Sequence, residues 1–325
     1  MNYTKYFNIY FMDTPIDFDW KFYLENHRDL VDAGLKTEED AISHFLTHGK
    51  YENRFYKKIN INDTYNFDKK IKLNSFTYSQ DYNILKNHNS KKINLSVIIT
   101  VFNYDRFIYK AVNSVIDNDI DVEIVIVDDK STDNSLETSK SFLKTNHKVT
   151  IIEKYKNTGL IDSRNIGISI CSGEYIFILD ADNTIYKNCL QEHLDCLINY
   201  NLTACYGVID CFDEEGEFIK QISNKTFDYN LLKYGNYIDA MAMFNKKEII
   251  DIGGYDINLK NFGIGWEDFE LWLRLGELNK RVGFINKSLS RYLVKEDSML
   301  SLTNEESNKR NLIYYLNNKY NADIQ

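Results

Sequence analysis

The apolar positions change their pattern near residue 94, where short apolar runs replace a polar, Asn-rich stretch. The first run, residues 95–101, reads Leu-Ser-Val-Ile-Ile-Thr-Val and is rich in β-branched side chains. Such a run is typical of a strand that is buried on both faces, as strands of parallel sheets are. Three further runs predict strands at residues 122–127, 149–152 and 175–179.

The intervals between these runs show helical spacing. After the first run, apolar side chains recur at Phe107, Ala111, Val112 and Val115. Two more helices are predicted over residues 132–144, with Ser131 as the N-cap, and over residues 160–171. The order β-α-β-α-β-α-β predicts an α/β fold, a doubly wound sheet with helices on both faces.

The pattern loosens beyond residue 200. Residues 203–212 and 217–222 predict a hairpin around the turn at residues 213–216. Residues 267–279 have a strongly amphipathic helical pattern, and a further helix is expected after residue 303. Together with the preceding strands, these elements are expected to form one domain over residues 93–325.

The N-terminal part is predicted to be a small helical module over residues 1–60. Its apolar residues recur at roughly helical spacing, Gly34 can end one helix, and Thr37 can cap the next. Residues 61–92 are polar and lack sustained periodicity, which indicates a linker or an arm lying over the main domain.

Histidine and cysteine spacing gives little support for a metal site. His44 and His48 lie four residues apart, which could place both on one helix face toward a metal ion. No acidic or cysteine partner is evident, so packing and helix-end hydrogen bonds are the favoured interpretation. The five cysteines lack C-x-x-C spacing and are odd in number, which argues against a zinc site or a disulfide framework.

The formal net charge of -9 is unfavourable for binding nucleic acid, because that affinity depends on clustered Lys and Arg. Two basic stretches, residues 69–72 and 86–92, are interpreted as solvated, with peripheral contact to an anionic membrane as the alternative. No run of about 18 apolar residues occurs, and the N-terminus is a poor match to a signal peptide. We therefore expect a cytoplasmic protein without a transmembrane segment.

Polar or acidic residues follow three of the predicted strands: residues 100–103 the first, the Asp-Asp pair at 128–129 the second, and Asp-Ala-Asp at 180–182 the fourth. Ligands of open α/β sheets bind at the carboxyl ends of strands, so a shared site is expected there. Paired carboxylates suit a hard divalent cation, Mn²⁺ or Mg²⁺, which could stabilise a departing diphosphate. Capping of the strand end alone is the simpler alternative.

Several ordered motifs resemble those of family 2 glycosyltransferases of the GT-A fold. They lie at residues 95–103, 123–133, 157–167, 173–182 and 253–274. The N-terminal module is similar to a short unit often attached to glycan-assembly enzymes. The resemblance implies a GT-A-type mixed sheet and an inverting transfer of sugar from a nucleotide diphosphate donor, with a UDP-sugar favoured, to a hydroxyl of a glycan or glycoconjugate.

The resemblance also implies a donor-binding set. Thr100 and Phe102 would line the base pocket, and Asp129 would accept a hydrogen bond from the base. Arg164 is expected near the donor, whose phosphate oxygens match its guanidinium, with a structural salt bridge as the alternative. The whole nucleotide-sugar set is Thr100, Phe102, Asn103, Asp129, Arg164, Asp180, Ala181 and Lys295.

Metal binding and proton transfer are assigned to four carboxylates by the same resemblance. Asp182 would ligate the metal directly, while Asp180 would contact the ribose side or support the metal through water. Asp268 is the favoured general base for the acceptor hydroxyl, with Glu267 second. The simpler alternative for both is that they begin a helix, whose dipole favours acidic residues in its first turn.

One position departs from the family pattern. Lys295 stands where family members often carry a metal-ligating His. A protonated lysine donates hydrogen bonds but cannot ligate a cation. Our hypothesis is that Lys295 contacts the diphosphate directly and that the metal keeps an extra water, which would weaken metal dependence.

Two other functions are weighed against a transferase. A nucleotidyltransferase would usually show a loop rich in Gly, Lys or Arg after the first strand, and residues 100–105 lack one. A non-catalytic scaffold that binds nucleotide-sugars or glycans would not need both Asp182 and Asp268, which are intact here.

Overall fold

The computed structural model of the chain describes residues 20–26, 28–49, 76, 78–89, 93–295 and 306–325. The chain divides into two compact units, Met1–Lys70 and Ile71–Gln325, and the division falls inside the predicted linker or arm. Within the described ranges, none of the helices has the length and apolar character needed to span a membrane.

The first unit is helical. Its elements are α1 (Trp20–Asn26), α2 (Arg28–Asp32), α3 (Glu38–His44) and a π-helical turn (Phe45–Gly49). The Thr37 hydroxyl accepts the Asp40 N–H at 3.2 Å and the Asp40 carboxylate accepts the Thr37 N–H at 3.0 Å, so a capping box starts α3. Gly34 has a φ of 97° and lies after α2. Both predicted helix boundaries are confirmed.

His44 and His48 make packing contacts. The Tyr23 hydroxyl lies 2.9 Å from Nδ1 of His44, and the His44 ring stacks on His48 at 5.3 Å between centroids. These contacts agree with the interpretation that the sequence favoured for the pair.

The second unit is built on a mixed sheet, in which ten strands lie within the described residues. They are β1 (Tyr82–Lys86), β2 (Ile93–Val101), β3 (Val122–Asp128), β4 (Lys148–Lys154), β5 (Gly173–Asp180), β6 (Thr184–Ile185), β7 (Ala204–Phe212), β8 (Phe218–Ile222), β9 (Ala242–Asn245) and β10 (Val282–Leu293). Their order is β1-β4-β3-β2-β5-β9-β7-β10-β6, with β8 beside β7. Strands β4, β3, β2 and β5 are parallel and confirm the four predicted strands.

Helices cover both faces of the sheet. They are α4 (Asp105–Ile116), α5 (Ser135–Ser141), α6 (Leu160–Ile170), α7 (Cys189–Tyr200), α8 (Tyr229–Leu232), α9 (Lys246–Asp251), α10 (Glu267–Glu277) and α11 (Glu306–Tyr320). On one face, Ile108 and Val112 of α4 share a core cluster with Val97 of β2. On the other, Gly167 of α6 approaches Ile98 so closely that an added Cβ would lie 2.5 Å from its methyl carbon. Glycine is therefore required for α6 to lie on the sheet.

The helix predicted over residues 132–144 starts later, and its predicted cap is wrong. Helix α5 begins at Ser135, where the Asp133 carboxylate accepts the Ser135 N–H at 2.9 Å. The Ser131 hydroxyl instead accepts the Asn103 N–H at 3.1 Å. A contact to another loop thus takes the oxygen that would otherwise cap the helix.

Residues 82–86, inside the predicted linker or arm, form the edge strand β1. This strand pairs antiparallel with β4, from Tyr82 opposite Lys154 to Lys86 opposite Thr150. None of its five residues is fully buried. Because neither face of this edge strand is fully buried, its residues do not alternate clearly between apolar and polar. The hydrophobic periodicity of the sequence therefore does not predict the strand.

Helix α11 is fastened to the rest of the unit by buried charges. The Lys319 ammonium lies 2.6 Å from Oδ2 of Asp256 and 2.9 Å from Oε1 of Glu270. Arg274 contacts the second Glu270 oxygen at 2.9 Å. Burial opposes ionisation of Asp256, but the Lys319 ammonium holds the pKa of Asp256 low, at about 2. The C-terminal helix is therefore fixed to α10 by an ionised network.

Candidate active site

The carboxyl end of β5 presents the D-x-D sequence in a tight turn. Asp180 ends β5 in register with Thr100 of β2, and its C=O accepts the Asn183 N–H at 3.1 Å. The Asn183 side-chain oxygen accepts the Leu293 N–H at 2.9 Å. Because Leu293 ends β10, this bond brings the end of β10 next to the turn that carries Asp182.

Lys295 follows β10 and lies against Asp182. Its Nζ is 2.7 Å from Oδ2 of Asp182 and 4.2 and 4.6 Å from the ring centroids of Tyr104 and Phe107. Only 10% of the Lys295 side chain and 15% of the Asp182 side chain are exposed. Burial and the charge of Asp180 raise the pKa of Asp182, and the Lys295 ammonium opposes that rise.

Arg164 joins the D-x-D turn to the acidic pair that begins α10. One terminal nitrogen of its guanidinium lies 2.6 Å from Oε1 of Glu267, and the other lies 2.7 Å from Oδ1 of Asp180. Arg164 is 1% exposed and lies 5.3 Å from the Tyr255 ring centroid. The structure thus places it in a buried bridge, the alternative that the sequence left open, and not at an open surface facing phosphate.

Helix α6 is buried along most of its length. Its polar side chains form hydrogen bonds with other parts of the domain. The Ser163 hydroxyl accepts a hydrogen bond from the Lys154 ammonium at 2.8 Å. The Asn165 side chain donates to the Tyr255 C=O at 2.9 Å and accepts the Tyr255 N–H at 2.8 Å. The Ser-Arg-Asn sequence therefore connects β4, the site and the Gly-Gly-Tyr loop.

Glu267 and Asp268 begin α10 in different surroundings. Glu267 is 5% exposed and is engaged by the guanidinium bridge. Oδ1 of Asp268 accepts the Phe269 N–H at 2.7 Å, and its Oδ2 lies 3.4 Å from the Asn236 side-chain nitrogen. Burial, followed by the negative charges of Glu267 and Asp239, raises the pKa of Asp268.

Asp239 is a site residue that the sequence analysis missed. Its Oδ1 accepts the Met241 N–H at 2.9 Å, and its C=O accepts the Trp272 indole N–H at 3.2 Å, which ties it to α10. Burial, followed by the charge of Asp180, raises the pKa of Asp239. No motif contains this residue. The sequence feature that could have revealed Asp239 is its position as a single acidic residue in the otherwise apolar stretch at residues 238–244.

Four residues of the predicted nucleotide-sugar set lie at the carboxyl ends of β2 and β5. Thr100 is largely buried, whereas the Phe102 ring is 41% exposed and is open to a ligand. Asn103 adopts a φ of 59°, and its side-chain oxygen accepts the Thr132 N–H at 2.7 Å, which joins two loops. Ala181 is buried in the core cluster, which leaves its backbone as the part that a donor could contact.

The Asp129 carboxylate already contacts two backbone N–H groups and one ammonium group. Its Oδ1 accepts the Thr158 N–H and its Oδ2 accepts the Gly159 N–H, both at 2.9 Å. The Lys154 ammonium lies 2.6 Å from Oδ1. A bond from the base to Asp129 stays a prediction, and it would have to use a remaining lone pair of this fixed carboxylate.

The carboxylates of the turn fit a metal that is shared with a substrate. Among the residues that the structure describes, no three His, Cys, Asp or Glu side chains are grouped as ligands for one ion. Mg²⁺ usually binds one or two carboxylates together with substrate phosphates and water. Asp182 and Asp180 offer hard oxygen donors of this kind, although each is paired with a basic side chain.

Comparison with known proteins agrees with this geometry. The family described as Glycosyl transferase family 2 matches residues 96–257. A glycosyltransferase of Rickettsia bellii is 29% identical over 259 residues, which are 77% of this chain and 37% of that protein. Glycosyltransferase GlyA of Streptococcus pneumoniae is 29% identical over 225 residues, which are 65% of this chain and 32% of GlyA. The chain thus spans well under half of the length of both relatives.

The crystal structure of residues 1–349 of S. aureus TarS with UDP-GlcNAc has a TM-score of 0.53 and 19% identity, and the match covers 70% of this chain and 73% of that TarS fragment. At that identity the likeness establishes the fold alone. The mixed sheet, with a D-x-D turn at the end of β5 and an acidic pair at the start of α10, has the GT-A fold. Residues 96–257 match the family 2 glycosyltransferases, and the relatives that the chain resembles are named glycosyltransferases.

Proposed function

We propose that the chain transfers a sugar from a nucleotide diphosphate donor to a hydroxyl of a glycan or glycoconjugate acceptor. The observation that carries this proposal is the Arg164 bridge. One guanidinium contacts Asp180 of the D-x-D turn at 2.7 Å and Glu267 of the acceptor motif at 2.6 Å. A diphosphate beside the turn and a hydroxyl beside α10 would therefore lie close enough to react.

A UDP-sugar is the donor that we favour. The TarS structure of the same fold contains UDP-GlcNAc. In this chain, the exposed Phe102 ring follows Thr100 at the end of β2 and offers a face on which a base can stack. The proposal names the sugar and the acceptor only by their chemical class.

A divalent cation, Mn²⁺ or Mg²⁺, is proposed to bind between the D-x-D turn and the donor diphosphate. Asp182 would be a direct ligand and Asp180 a supporting one, with phosphate oxygens and water completing the set. When bound, such an ion stabilises negative charge on the leaving diphosphate. The Lys295 ammonium beside Asp182 would supply a further positive charge to the same oxygens.

Asp268 is proposed to take the proton from the acceptor hydroxyl. The acceptor oxygen then forms a bond to the anomeric carbon while the bond from that carbon to the diphosphate oxygen breaks. The electron pair of the broken bond leaves with the nucleoside diphosphate. A single displacement of this kind inverts the anomeric centre.

The surroundings of the two acids favour Asp268 over Glu267 as the base. Glu267 is committed to Arg164, and protonating it would break a buried ion pair. Asp268 lacks an ion-pair partner among the described residues, and its pKa is raised by burial and by nearby carboxylates. A carboxylate with a raised pKa is better matched to proton transfer near neutral pH than an ordinary one.

The test measures the release of free nucleoside diphosphate from a panel of UDP-, GDP- and dTDP-sugars, with Mn²⁺ or with EDTA. We expect slow, metal-dependent turnover of one UDP-sugar, and its loss in Asp182→Ala. The matched control is Asp251→Ala, since Asp251 is exposed and pairs with the exposed Lys247. That surface pair contributes little, so the control should keep full turnover.

Binding of the same panel, measured by calorimetry, separates the alternatives. Binding without turnover even when glycan acceptors are added would favour the non-catalytic scaffold. No binding of any nucleotide-sugar would refute the transferase. Release of pyrophosphate from a nucleoside triphosphate and a sugar phosphate would indicate a nucleotidyltransferase instead.

A further inference from the structure

The surroundings of Lys295 form a binding site for a single positive charge. The Asp182 carboxylate lies 2.7 Å from the ammonium on one side, and the Tyr104 and Phe107 rings lie 4.2 and 4.6 Å from it. Aromatic faces attract organic cations, and a partly desolvated carboxylate strengthens that attraction. The site is built from β5, β10 and the start of α4, yet its cation comes from the chain itself.

The position of Lys295 is set by the fold. Strand β10 pairs with β7 along nearly its whole length, and residues Ser290 and Arg291 also pair with β6 directly after the turn. The Leu293 N–H donates to the Asn183 side chain inside that turn. The backbone therefore delivers Lys295 to the same carboxylate that the proposed metal would use.

A lysine at this place has a consequence for a metal. Oδ2 of Asp182 is occupied by the ammonium, and the neighbouring Asp180 is occupied by Arg164. A divalent ion that arrives alone would have to displace Lys295 from Asp182 and lie beside a positive charge, and among the described residues no group of three possible ligands offers it an alternative. A nucleoside diphosphate would make displacement of Lys295 from Asp182 less costly. Its oxygens can accept hydrogen bonds from the Lys295 ammonium and ligate the ion at the same time.

We propose that Lys295 is a tethered counter-ion that occupies Asp182 in the free protein, so that a divalent metal binds together with the nucleoside diphosphate and not before it. This inference rests on the proposed donor class. The inference concerns the order in which the metal and the nucleoside diphosphate bind. It can be tested by measuring metal binding alone, without measuring turnover.

The experiment measures binding of Mn²⁺ by electron paramagnetic resonance, with and without UDP. The proteins are the wild type, Lys295→Met, Lys295→Arg and the control Lys287→Met, whose lysine pairs with Glu192 on the surface. Without UDP, we expect Lys295→Met to bind Mn²⁺ about 10- to 100-fold more tightly than the wild type, because one neighbouring positive charge changes the affinity of a carboxylate for a cation by roughly this factor. Lys295→Arg, which keeps the charge, and Lys287→Met should bind as weakly as the wild type.

The double variant Lys295→Met with Asp182→Asn localises the effect, since it should lose the gain in Mn²⁺ affinity. Equal Mn²⁺ affinity of wild type and Lys295→Met without UDP would overturn the inference, as would tight Mn²⁺ binding by the wild type alone. UDP affinity is measured separately by calorimetry. Absence of UDP binding would defeat the UDP-sugar that the proposed function favours as donor, whereas the comparison of Mn²⁺ affinities without UDP tests the counter-ion by itself.

Discussion

The Arg164 guanidinium lies 2.6 Å from the carboxylate of Glu267, in a site where both side chains are almost fully buried. The same guanidinium also contacts Asp180. A buried ion pair of this kind fixes geometry, because removal of one partner leaves an unpaired charge away from water. The D-x-D turn and the acidic pair that begins α10 are thus connected by one side chain.

Replacing Arg164 by Met should therefore destabilise the domain and abolish turnover together. We expect the free energy of unfolding to fall by about 3–5 kcal/mol, since Asp180 and Glu267 would lose their buried partner. Urea denaturation followed by tryptophan fluorescence measures this change. Arg281→Lys, at an exposed arginine that donates to one backbone carbonyl, serves as the control. An Arg164→Met protein with unchanged stability would show that the bridge does not hold the site together.

Asp268→Asn and Glu267→Gln should affect different properties. Asp268→Asn removes the proposed base, so turnover should fall about 100- to 10,000-fold while stability and UDP affinity stay near the wild-type values. Glu267→Gln leaves Arg164 with one carboxylate fewer, so the melting temperature should fall as well. Turnover, calorimetry and thermal unfolding of both variants check this. The reverse result would assign proton transfer to Glu267.

Asp239→Asn should shift the pH dependence of turnover. The Asp239 charge contributes to raising the pKa of Asp268, so its removal should lower that pKa. A general base works only when deprotonated, and the acidic limb of the pH profile should therefore move to lower pH. The measurement is turnover at saturating donor across the pH range, compared with Asp251→Asn. An acidic limb at the wild-type position would show that the two carboxylates are not coupled in catalysis.

Lys319→Met should weaken the attachment of α11. Asp256 and Glu270 would lose a shared buried partner, at a cost of about 3–5 kcal/mol at neutral pH. The pKa of Asp256 is about 2, below its unfolded value of about 3.9, so the stabilisation is fully present above that unfolded value. It is lost as pH falls from about 4 toward 2. The stability difference between wild type and variant, measured in urea at each pH, should shrink over this window.

The fold was largely predictable because its central strands are buried on both faces. Residues 95–101 and 122–127 are rich in β-branched side chains, which favour strands, and both form strands. The edge strand β1 was not predictable, since its residues stay partly or fully exposed. The start of α5 was mispredicted because Ser131 is engaged by Asn103, 28 residues away in the chain.

The sequence by itself determined the four parallel strands, the D-x-D sequence at the end of a buried strand, and the acidic pair at the start of α10. These features depend on local pattern and on the rule that strand ends meet at one edge. Only the tertiary structure decided that Arg164 bridges Asp180 and Glu267, and that Asp239 faces the same site. The physical reason is that the partner of a buried charge is chosen by packing between distant elements, and the identity of a charged residue does not encode which carboxylate it will meet.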